Sequence, residues 1–455
     1  MAKAKGKKIT LEEALVPVDE QPYQVPENWC WTEIGKITSV QSGGTPSTSH
    51  DEYYEGGDIP WISPADLSGY NNIYIRNGNK YITQLGLEKS SARLLPKDTV
   101  CLSTRAPIGY VVIAENELCT NQGFKSFLPS KAYIPKYLYW YLKANKDMLE
   151  SMASGTTFLE LSGTKAGQVV FPLPPLTEQQ RIVEQIENLF SKLDEAKEKA
   201  QAVVDSFETR KAAILHKAFT GELTTQWRKE HSIGLDSWKR VTINEIFEVF
   251  SGKGFKKKEY SPDGVKLIRI SNVTYNSLVW EDTKYLPISY LLQEPELVLQ
   301  SGDIVMALNR PITNGKLKVS MVDNAEQYIL YQRVGCLRRK NLYNSAQYLL
   351  YALLSRNFLH QVEKNLQGSD QPYINLPPLK TLSITICLPQ EQIEVVQILD
   401  NFLSKEQQAK ETAETVINQI DIMEKSILAR AFRGKLGTNN PEEESSIVLL
   451  KRIFE

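Results

Sequence analysis

Two stretches of the chain carry apolar residues at alternating spacings of three and four, the pattern of a long helix that packs along one face. The first set is Ile186, Leu189, Leu193, Ala196, Ala200, Val203, Phe207 and Ile214. The second set is Leu399, Phe402, Ala409, Ala413, Val416, Ile420, Met423 and Ile427. Arg210 and Glu406 are polar exceptions to this register. Each stretch predicts a helix of about 40 residues, about 60 Å long, and two such helices in one chain pack most simply on each other.

The two helical stretches are copies of one another. Residues 178–223 align without gaps on residues 391–436 at a constant offset of 213, with 17 identities in 46 positions, where chance gives about three. Both copies end in a related phrase whose glycine is typical of a helix stop, Lys217-Ala-Phe-Thr-Gly-Glu-Leu223 and Arg430-Ala-Phe-Arg-Gly-Lys-Leu436. The repeat predicts a duplicated architecture.

Before each helix lies a block rich in Pro, Gly and Ser, with short β-branched and aromatic runs that predict mixed α/β globules. Landmarks recur in order in both blocks, among them Trp31 with Trp238 and Gly155 with Gly368. Helices are expected at 137–142 and 348–354. Strands are expected at 36–40, 59–62, 99–103, 110–114 and 168–171, and at 247–250, 266–270, 303–307, 316–321 and 381–387.

These patterns predict an α+β protein in which two mixed α/β globular domains are separated by two long helices, with an internal repeat. An N-terminal extension (1–22) is predicted, and within it residues 10–16 are hypothesised to form a short helix that returns to the C-terminal end. The other predicted segments are a first globule (23–176), a first helix (177–223), a second globule (224–388), a second helix (389–436) and a flexible tail (437–455).

Composition narrows the class of protein. The 455 residues are 42% hydrophobic, enough for about three domains. Lys and Arg number 53 against 54 Asp and Glu, so any binding to DNA must depend on local basic patches. The five cysteines form no Cys-x-x-Cys pair, and no apolar run reaches the length of a membrane span. We expect a protein of the reducing cytoplasm without a disulfide framework or zinc knuckle.

Several phrases together carry a family likeness. They are Pro26-Glu-Asn-Trp-Cys-Trp31, Ser42-Gly-Gly-Thr-Pro-Ser47, Pro60-Trp-Ile-Ser63, Pro172-Leu-Pro-Pro-Leu-Thr-Glu-Gln-Gln-Arg-Ile182 and the helix ending at Leu223. With them the chain resembles, from about Tyr23 to Leu436, the specificity subunit of type I restriction-modification systems. The second hinge, Leu388-Pro-Gln-Glu-Gln392, departs from the family phrase because it lacks the double proline.

The resemblance implies a DNA sequence-recognition subunit that is not catalytic alone. Its two globules would be target-recognition domains, each reading one half of a bipartite, gapped target in double-stranded DNA. Its two long helices would form an antiparallel coiled coil with a pseudo-twofold repeat, set the spacing of the half-sites and dock two methyltransferase subunits. Restriction (motor-nuclease) subunits would join that assembly. No cofactor is implied for this chain: S-adenosylmethionine would belong to the methyltransferase, and Mg²⁺ and ATP to the restriction subunit.

The candidate DNA-binding residues lie in loops at corresponding places of the two globules. After a strand of the second globule, four lysines and an aromatic residue suit phosphate and sugar contact: Lys253, Phe255, Lys256, Lys257 and Lys258. The counterpart in the first globule is uncharged but rich in backbone and hydroxyl donors: Ser42, Gly43, Gly44, Thr45 and Ser47.

Further candidates come from three more pairs of segments. Arg105 and Arg310 recur after the valine-rich strands, which favours a shared structural or phosphate role. Base reading is assigned to side chains that pair with guanine or adenine in the major groove, namely Asn121, Gln122, Gln332 and Arg333. Polar loops at equivalent positions add Thr156, Thr157, Ser369 and Gln371.

Two alternatives remain open at this point. Asp263, Asp282 and Lys284 fit the loose pattern of metal-dependent nucleases, although Pro262-Asp263-Gly264 is also a good turn sequence. The four histidines are scattered without ligand spacing, so no metal site is expected. The other alternative is a coiled-coil scaffold that does not bind DNA.

Overall fold

A computed structural model describes residues 9–105, 107–155, 159–323 and 327–455. The helices are α1 Leu11–Ala14, α2 Ile34–Ile37, α3 Gln84–Glu88, α4 Pro135–Ala144, α5 Lys146–Met152, α6 Gly163–Gly167, α7 Leu176–Phe219, α8 Thr225–Glu230, α9 Ile243–Ile246, α10 Tyr290–Gln293, α11 Ala346–Leu353, α12 Arg356–Lys364, α13 Leu376–Thr381, α14 Pro389–Ala431 and α15 Ser446–Phe454. None of these helices is both long and apolar enough to cross a membrane.

The strands are short, as the sequence predicts. Up to the first long helix they are β1 Cys30–Glu33, β2 Val40–Ser42, β3 Ile59–Ile62, β4 Tyr74–Ile75, β5 Lys80–Ile82, β6 Val100–Thr104, β7 Ile108–Ala114, β8 Cys119–Thr120, β9 Phe124–Phe127 and β10 Val170–Leu173. After it they are β11 Lys239–Thr242, β12 Phe247–Ser251, β13 Val265–Ile268, β14 Tyr285–Leu286, β15 Ile304–Ala307, β16 Ile312–Thr313, β17 Lys316–Leu317, β18 Val319–Met321, β19 Tyr328–Leu330, β20 Val334–Arg339 and β21 Ser383–Ile386.

The chain forms two compact units, and each long helix contributes to both. Unit 1 contains the described residues up to Lys199 together with Val416–Glu455, and unit 2 is Ala200–Thr415. In unit 1 a five-stranded sheet has the order β2-β9-β6-β7-β4 and a three-stranded sheet the order β5-β3-β8. The α4 helix buries Tyr137, Leu138 and Leu142 in one core with the parts of α7 and α14 that belong to unit 1.

Unit 2 repeats this plan with four strands instead of five in its main sheet and with an additional β16-β17 pair. Its four-stranded sheet has the order β12-β20-β15-β18, and its three-stranded sheet the order β14-β13-β19. In both units the small sheet pairs its central strand antiparallel on one side and parallel on the other. The mixed α/β globules with short strands are therefore confirmed.

A two-stranded ribbon closes each globule and fixes how the two copies correspond. Cys30 pairs with Leu173 in unit 1, and Lys239 pairs with Ile386 in unit 2. Leu173 and Ile386 are separated by the offset of 213, so Cys30 corresponds to Lys239. The partner of Trp238 is therefore Trp29, and the predicted match of Trp31 with Trp238 is wrong by two residues, because a repeat this divergent is set by strand register rather than by residue identity.

The long helices pair antiparallel within each unit. In unit 1, Ile182, Val183 and Ile186 of α7 share a core with Leu428 and Ala431 of α14. In unit 2, the other ends meet, since Leu215 and Ala218 pack with Val395 and Leu399. The predicted antiparallel pairing of the two heptad stretches is confirmed.

The structure corrects two local predictions. Residues 36–40, predicted as a strand, contain the end of α2 and the start of β2, because Ile34 and Ile37 both turn into the core as one helical turn allows. The tail predicted to be flexible forms α15, whose Leu450 is fully buried against the unit 1 core. The α1 helix packs on α15, which confirms the hypothesis that residues 10–16 return to the C-terminal end.

Candidate nucleic-acid interface

In unit 1 the loop after β2 lies against the turn between β8 and β9. A β carbon on Gly43 would come within 2.1 Å of the Asn121 carbonyl oxygen, so only glycine permits this approach. The Gly44 N–H donates to the Thr120 carbonyl at 2.9 Å, and the Thr45 hydroxyl donates to the Gln122 amide oxygen. The structure thus brings together two segments, 42–47 and 121–122, that the sequence left 80 residues apart.

Some polar groups of these two loops are bonded inside the protein, and others are exposed to solvent. The N–H group of Gly44 is bonded inside the protein, which removes one of the backbone donors that the sequence predicts for this loop. The hydroxyls of Ser42, Thr45 and Ser47 and the amide of Gln122 lie on exposed residues. Asn121 is half-buried, and its side-chain oxygen accepts from the Gly123 N–H at 2.9 Å, so it shapes the turn.

A charged group lies beside this loop pair. Arg105 forms an ion pair with Glu160 at 2.8 Å, and Lys125 Nζ lies 3.8 Å from the same carboxylate. Lys125 is 6% exposed. Burial lowers its pKa, although Glu160 opposes this by favouring the charged form. The Glu160 carboxylate therefore holds two cations, one at the surface and one beneath it.

In unit 2 the corresponding loop follows β12. A β carbon on Gly252 would come within 2.2 Å of the Leu330 carbonyl oxygen, and the Gln332 N–H donates to the Lys253 carbonyl at 2.9 Å. Arg333 has a φ of 65° and Arg310 a φ of 46°. Non-glycine residues adopt this left-handed backbone at an energetic cost, and such residues concentrate at functional sites.

Backbone hydrogen bonds connect these residues to a fourth segment. The Arg310 N–H donates to the Pro372 carbonyl at 2.7 Å, and the Arg333 carbonyl accepts from Leu308 at 2.9 Å. Ser369 and Gln371 are exposed in a loop that hydrogen bonds between Gln367 and Tyr373 close at its base. All four predicted segments of unit 2 thus converge.

The lysine-rich segment of unit 2 has a different role for each residue. Phe255, predicted to pack on sugar or base, is 5% exposed and packs edge to face on Tyr290 with ring centroids 5.7 Å apart. This corrects the prediction, because the ring packs in a local core with Val265, Leu286 and Ile329. Lys253 forms an ion pair with Glu294. Lys256, Lys257 and Lys258 are exposed beside it.

The same hydrogen-bond plan occurs in both units. In unit 1 the Thr104 N–H donates to Gly123 at 2.7 Å and its carbonyl accepts from Leu161 at 3.1 Å. In unit 2 Leu308 takes both roles, donating to Arg333 and accepting from Ile374 at 2.9 Å. Since Leu161 and Ile374 are again 213 apart, the duplication extends from the helices into the loops.

Sequence reasoning missed Lys125. Strand pairing sets Ser42 opposite Lys125 in unit 1 and Ser251 opposite Gly335 in unit 2, so a buried lysine corresponds to a glycine. A β carbon on Gly335 would lie 3.1 Å from Leu308 Cδ2, which occupies this space in unit 2. The only sequence signal was a lysine inside the apolar strand Phe124–Phe127.

Three further predictions have separate outcomes. Thr156 and Thr157 lie outside the described residues. The Asp282 carboxylate forms ion pairs with Lys284 at 2.7 Å and with Arg269 at 3.0 Å, and these two cations hold its pKa below the usual range. The Asp263 carbonyl accepts from the Ser261 hydroxyl and so closes a turn. Among the described residues no cluster of His, Cys, Asp or Glu is arranged to hold a metal ion. The geometry favours the turn at Asp263.

The start of each long helix carries a buried Glu-Gln pair that the repeat preserves. Gln179 accepts from the Ile134 N–H at 2.8 Å, and Gln392 accepts from the Ser345 N–H at 2.9 Å, so each glutamine binds the backbone of the residue just before the helix that follows its sheet. Glu178 binds Arg181, and Glu391 binds Arg228 at 2.7 Å. These repeated glutamate and glutamine residues attach each long helix to its globule.

Comparisons with known proteins agree with this duplicated plan. The family described as type I restriction modification DNA specificity domain matches residues 26–204 and 236–419. The MjaVIII specificity subunit of a type I restriction enzyme from Methanocaldococcus jannaschii is 31% identical over 425 residues, covering 92% of this chain and 95% of the relative. The MjaIX specificity subunit of the same organism is 29% identical, covering 80% and 84%.

Among solved structures, the HsdS subunit from Thermoanaerobacter tengcongensis covers 92% of this chain and 100% of its own length, with a TM-score of 0.64 at 17% identity. A chain from a study of complex assembly and conformational transition of the type I R-M system reaches a TM-score of 0.69 at 17% identity, covering 91% and 100%. At these identities the likeness concerns the fold.

Proposed function

The chain belongs to the type I restriction-modification DNA specificity family, and from this premise we propose that its two units bind the two halves of a bipartite, gapped DNA target through the converging loops. As a specificity subunit it is a targeting subunit without its own active site. The observation that supports the two-reader proposal is the common loop plan, built with different side chains in each unit. A shared frame with different side chains suits recognition of two unequal half-sites.

The proposed contacts follow from exposure and chemistry. In unit 1, the hydroxyls of Ser42, Thr45 and Ser47 and the amide of Gln122 are the exposed donors and acceptors. In unit 2 the exposed groups are Lys256, Lys257, Lys258, Gln332, Arg333, Ser369 and Gln371. Arginine prefers guanine and glutamine prefers adenine in the major groove, so we assign base reading to Gln122, Gln332 and Arg333, and phosphate contact to the lysines.

The proposal includes the partners and their cofactors. Two methyltransferase subunits would dock on the long helices, and restriction subunits would join them in the cytoplasm. S-adenosylmethionine would be held by the methyltransferase, and Mg²⁺ and ATP by the restriction subunit. The methyltransferase would turn an adenine out of each half-site to reach it.

A methylation experiment tests the two-reader proposal. The chain is co-expressed with the methyltransferase subunit of its own type I system, and host DNA is sequenced for methylated bases with and without this chain. We expect a gapped motif that depends on the chain. Replacing residues 238–388 by those of a relative should change one half of the motif and leave the other unchanged. An unchanged motif, or a change in both halves, would contradict the proposal.

A second arm uses the helices. Inserting four residues, about one helical turn, at the matched positions after Ala200 and Ala413 should lengthen the gap between the half-sites and preserve both of them. The control is a substitution at exposed Lys405, which should alter neither the half-sites nor the gap. If the gap stayed constant in a complex that still methylates, the helices would not set the spacing.

A further inference from the structure

Unit 2 contains a cavity at the end of the first long helix that the function above does not use. It has a volume of about 80 Å³ and lies between α7, the β11–β21 ribbon and the junction of α11 with α12. Its floor includes Phe219, Ala352 and Phe358, and its rim carries Arg240, Arg356 and His216. Among the described residues that line it there is no carboxylate.

The cavity exists because an alanine stands where unit 1 has a tyrosine. Tyr137 and Tyr348 donate to Pro172 and Thr385, carbonyls that are 213 apart, so α4 and α11 correspond at an offset of 211. By that offset Tyr141 corresponds to Ala352. In unit 1 the Tyr141 ring fills the space that corresponds to the cavity, and it packs edge to face on both Phe171 and Phe432 with ring centroids 5.1 Å apart.

Unit 1 also covers this place with a segment of its own chain. The Tyr23 ring packs on Trp31 with centroids 4.8 Å apart, and the Arg433 guanidinium lies 4.9 Å from the Tyr23 centroid. By the strand register Trp31 corresponds to Arg240, and by the offset of 213 Arg433 corresponds to Thr220. Tyr23 follows Asp19 and Glu20, so the covering segment is an acidic one with an aromatic residue.

We propose that the unit 2 cavity binds an aromatic side chain of an acidic segment from a partner protein, as Tyr23 covers the corresponding place in unit 1. The size agrees, since a single water needs roughly 10–15 Å³ of such space and 80 Å³ accommodates about one aromatic ring, not a nucleotide. The chemistry agrees as well: the aromatic floor takes the ring, and the two arginines attract neighbouring carboxylates. This site is independent of the DNA-binding proposal and goes beyond it.

The test uses a fluorescent peptide that copies residues 18–24 of this chain, Val-Asp-Glu-Gln-Pro-Tyr-Gln, and the full-length protein. We expect saturable binding, measured by fluorescence anisotropy, that weakens with added salt. Ala352→Tyr, which installs the unit 1 residue and fills the cavity, should weaken binding at least tenfold. Replacing the peptide tyrosine by alanine should have a similar effect.

A second variant keeps the test decisive if the tyrosine disturbs folding. Arg240→Glu combined with Arg356→Glu changes two exposed residues and should weaken binding at least tenfold, whereas Lys405→Glu, an exposed change on α14, should have no effect. Circular dichroism melting checks that each variant is folded. The proposal is overturned if the wild type shows no saturable binding, or if the cavity-filling and double-charge variants bind the peptide as the wild type does.

Discussion

Single residues decide what each copy of the shared loop plan can do. The Lys125 ammonium in unit 1 and Gly335 in unit 2 stand at equivalent strand positions, yet one places a cation beneath Glu160 and the other leaves room for Leu308. A buried lysine is costly unless its charge is partnered, and Glu160 provides that partner. The unit 1 loops are thus supported by the ion pairs of Glu160 with Arg105 and Lys125, whereas unit 2 has Gly335 in place of the lysine.

The burial of Lys125 predicts a dependence of stability on pH. Because its pKa is lowered in the folded protein, the unfolded chain binds more protons between the folded-state pKa and the ordinary value of 10.5, so this residue's contribution to stability rises with pH across that window. We expect Lys125→Met to be at least as stable as the wild type at pH 7 and to lose that advantage toward pH 10. Urea unfolding of both proteins from pH 7 to 10 measures this. Tyrosines also titrate near pH 10, but both proteins contain the same tyrosines, so their effect cancels in the difference. A difference in unfolding free energy that stayed constant from pH 7 to 10 would contradict the prediction.

The exposed lysines of unit 2 predict a change in salt dependence. Each phosphate contact contributes roughly 0.9 to the slope of log affinity against log salt concentration. Replacing Lys256, Lys257 and Lys258 by glutamine should therefore reduce that slope by about 2 to 3 in the assembled complex. Exposed Lys229→Gln, on α8, is the control. Equal slopes for the triple variant and the wild type would remove these lysines from the interface.

At the scale of elements, the two long helices share one heptad register, but equivalent positions of that register make different contacts in the two units. The two polar exceptions in the heptad pattern meet, as Arg210 donates to Glu406 at 2.7 Å in unit 2. At the offset of 213 their counterparts in unit 1 are Met423 and Leu193, which are both apolar. The polar pair of unit 2 thus corresponds in the repeat to two apolar residues of unit 1, of which Met423 is 49% exposed.

A double-mutant cycle tests this exchange. We expect Arg210→Met and Glu406→Leu to be destabilising singly, because each leaves a partly buried charge without its partner. The double variant, which copies the unit 1 residues, should be as stable as the wild type or more so. The expected coupling energy is about 0.5–3 kcal/mol by urea unfolding. Additive effects would show that the two side chains act independently.

The starts of the long helices predict an asymmetry between the units. Glu178 and Glu391 are both fully buried, but the side chain of Arg228, the partner of Glu391, is 9% exposed, whereas that of Arg181, the partner of Glu178, is 36% exposed. Water therefore replaces the Arg181 guanidinium more easily than that of Arg228. Removing the partner of a buried charge costs about 3–5 kcal/mol. We expect Arg228→Met to lower the free energy of unfolding by about that amount and Arg181→Met by clearly less, measured by chemical denaturation. Equal losses would contradict the role given to burial.

At the scale of the whole molecule, the two ends of the chain belong to one unit. The Ser446 N–H donates to the Asn28 carbonyl at 3.0 Å, the Asn28 side chain donates to the Asn440 carbonyl at 3.0 Å, and Arg181 binds Glu443 at 2.8 Å. Together with the packing of α1 on α15, these contacts make the C-terminal segment a structural part of unit 1.

The C-terminal helix therefore predicts a stability effect. Leu450 is fully buried, whereas Val448 on the same helix is 36% exposed. We expect Leu450→Ala to cost about 2–5 kcal/mol and Val448→Ala under about 1 kcal/mol. Thermal or urea unfolding of the full chain distinguishes them. Equal and small effects would restore the view of the tail as a dispensable extension.

The two long helices and their duplication could be predicted without the structure, because heptad spacing and an ungapped offset of 213 are visible along the chain. The family likeness added their antiparallel pairing, and the repeat marked most of the loops that converge. Four features came from the folded molecule alone: Arg210 meets Glu406, Phe255 is buried, Lys125 lies under Glu160, and Ala352 leaves a cavity. Each of these depends on contacts between segments distant in sequence, where burial and pairing follow from packing that no local period records.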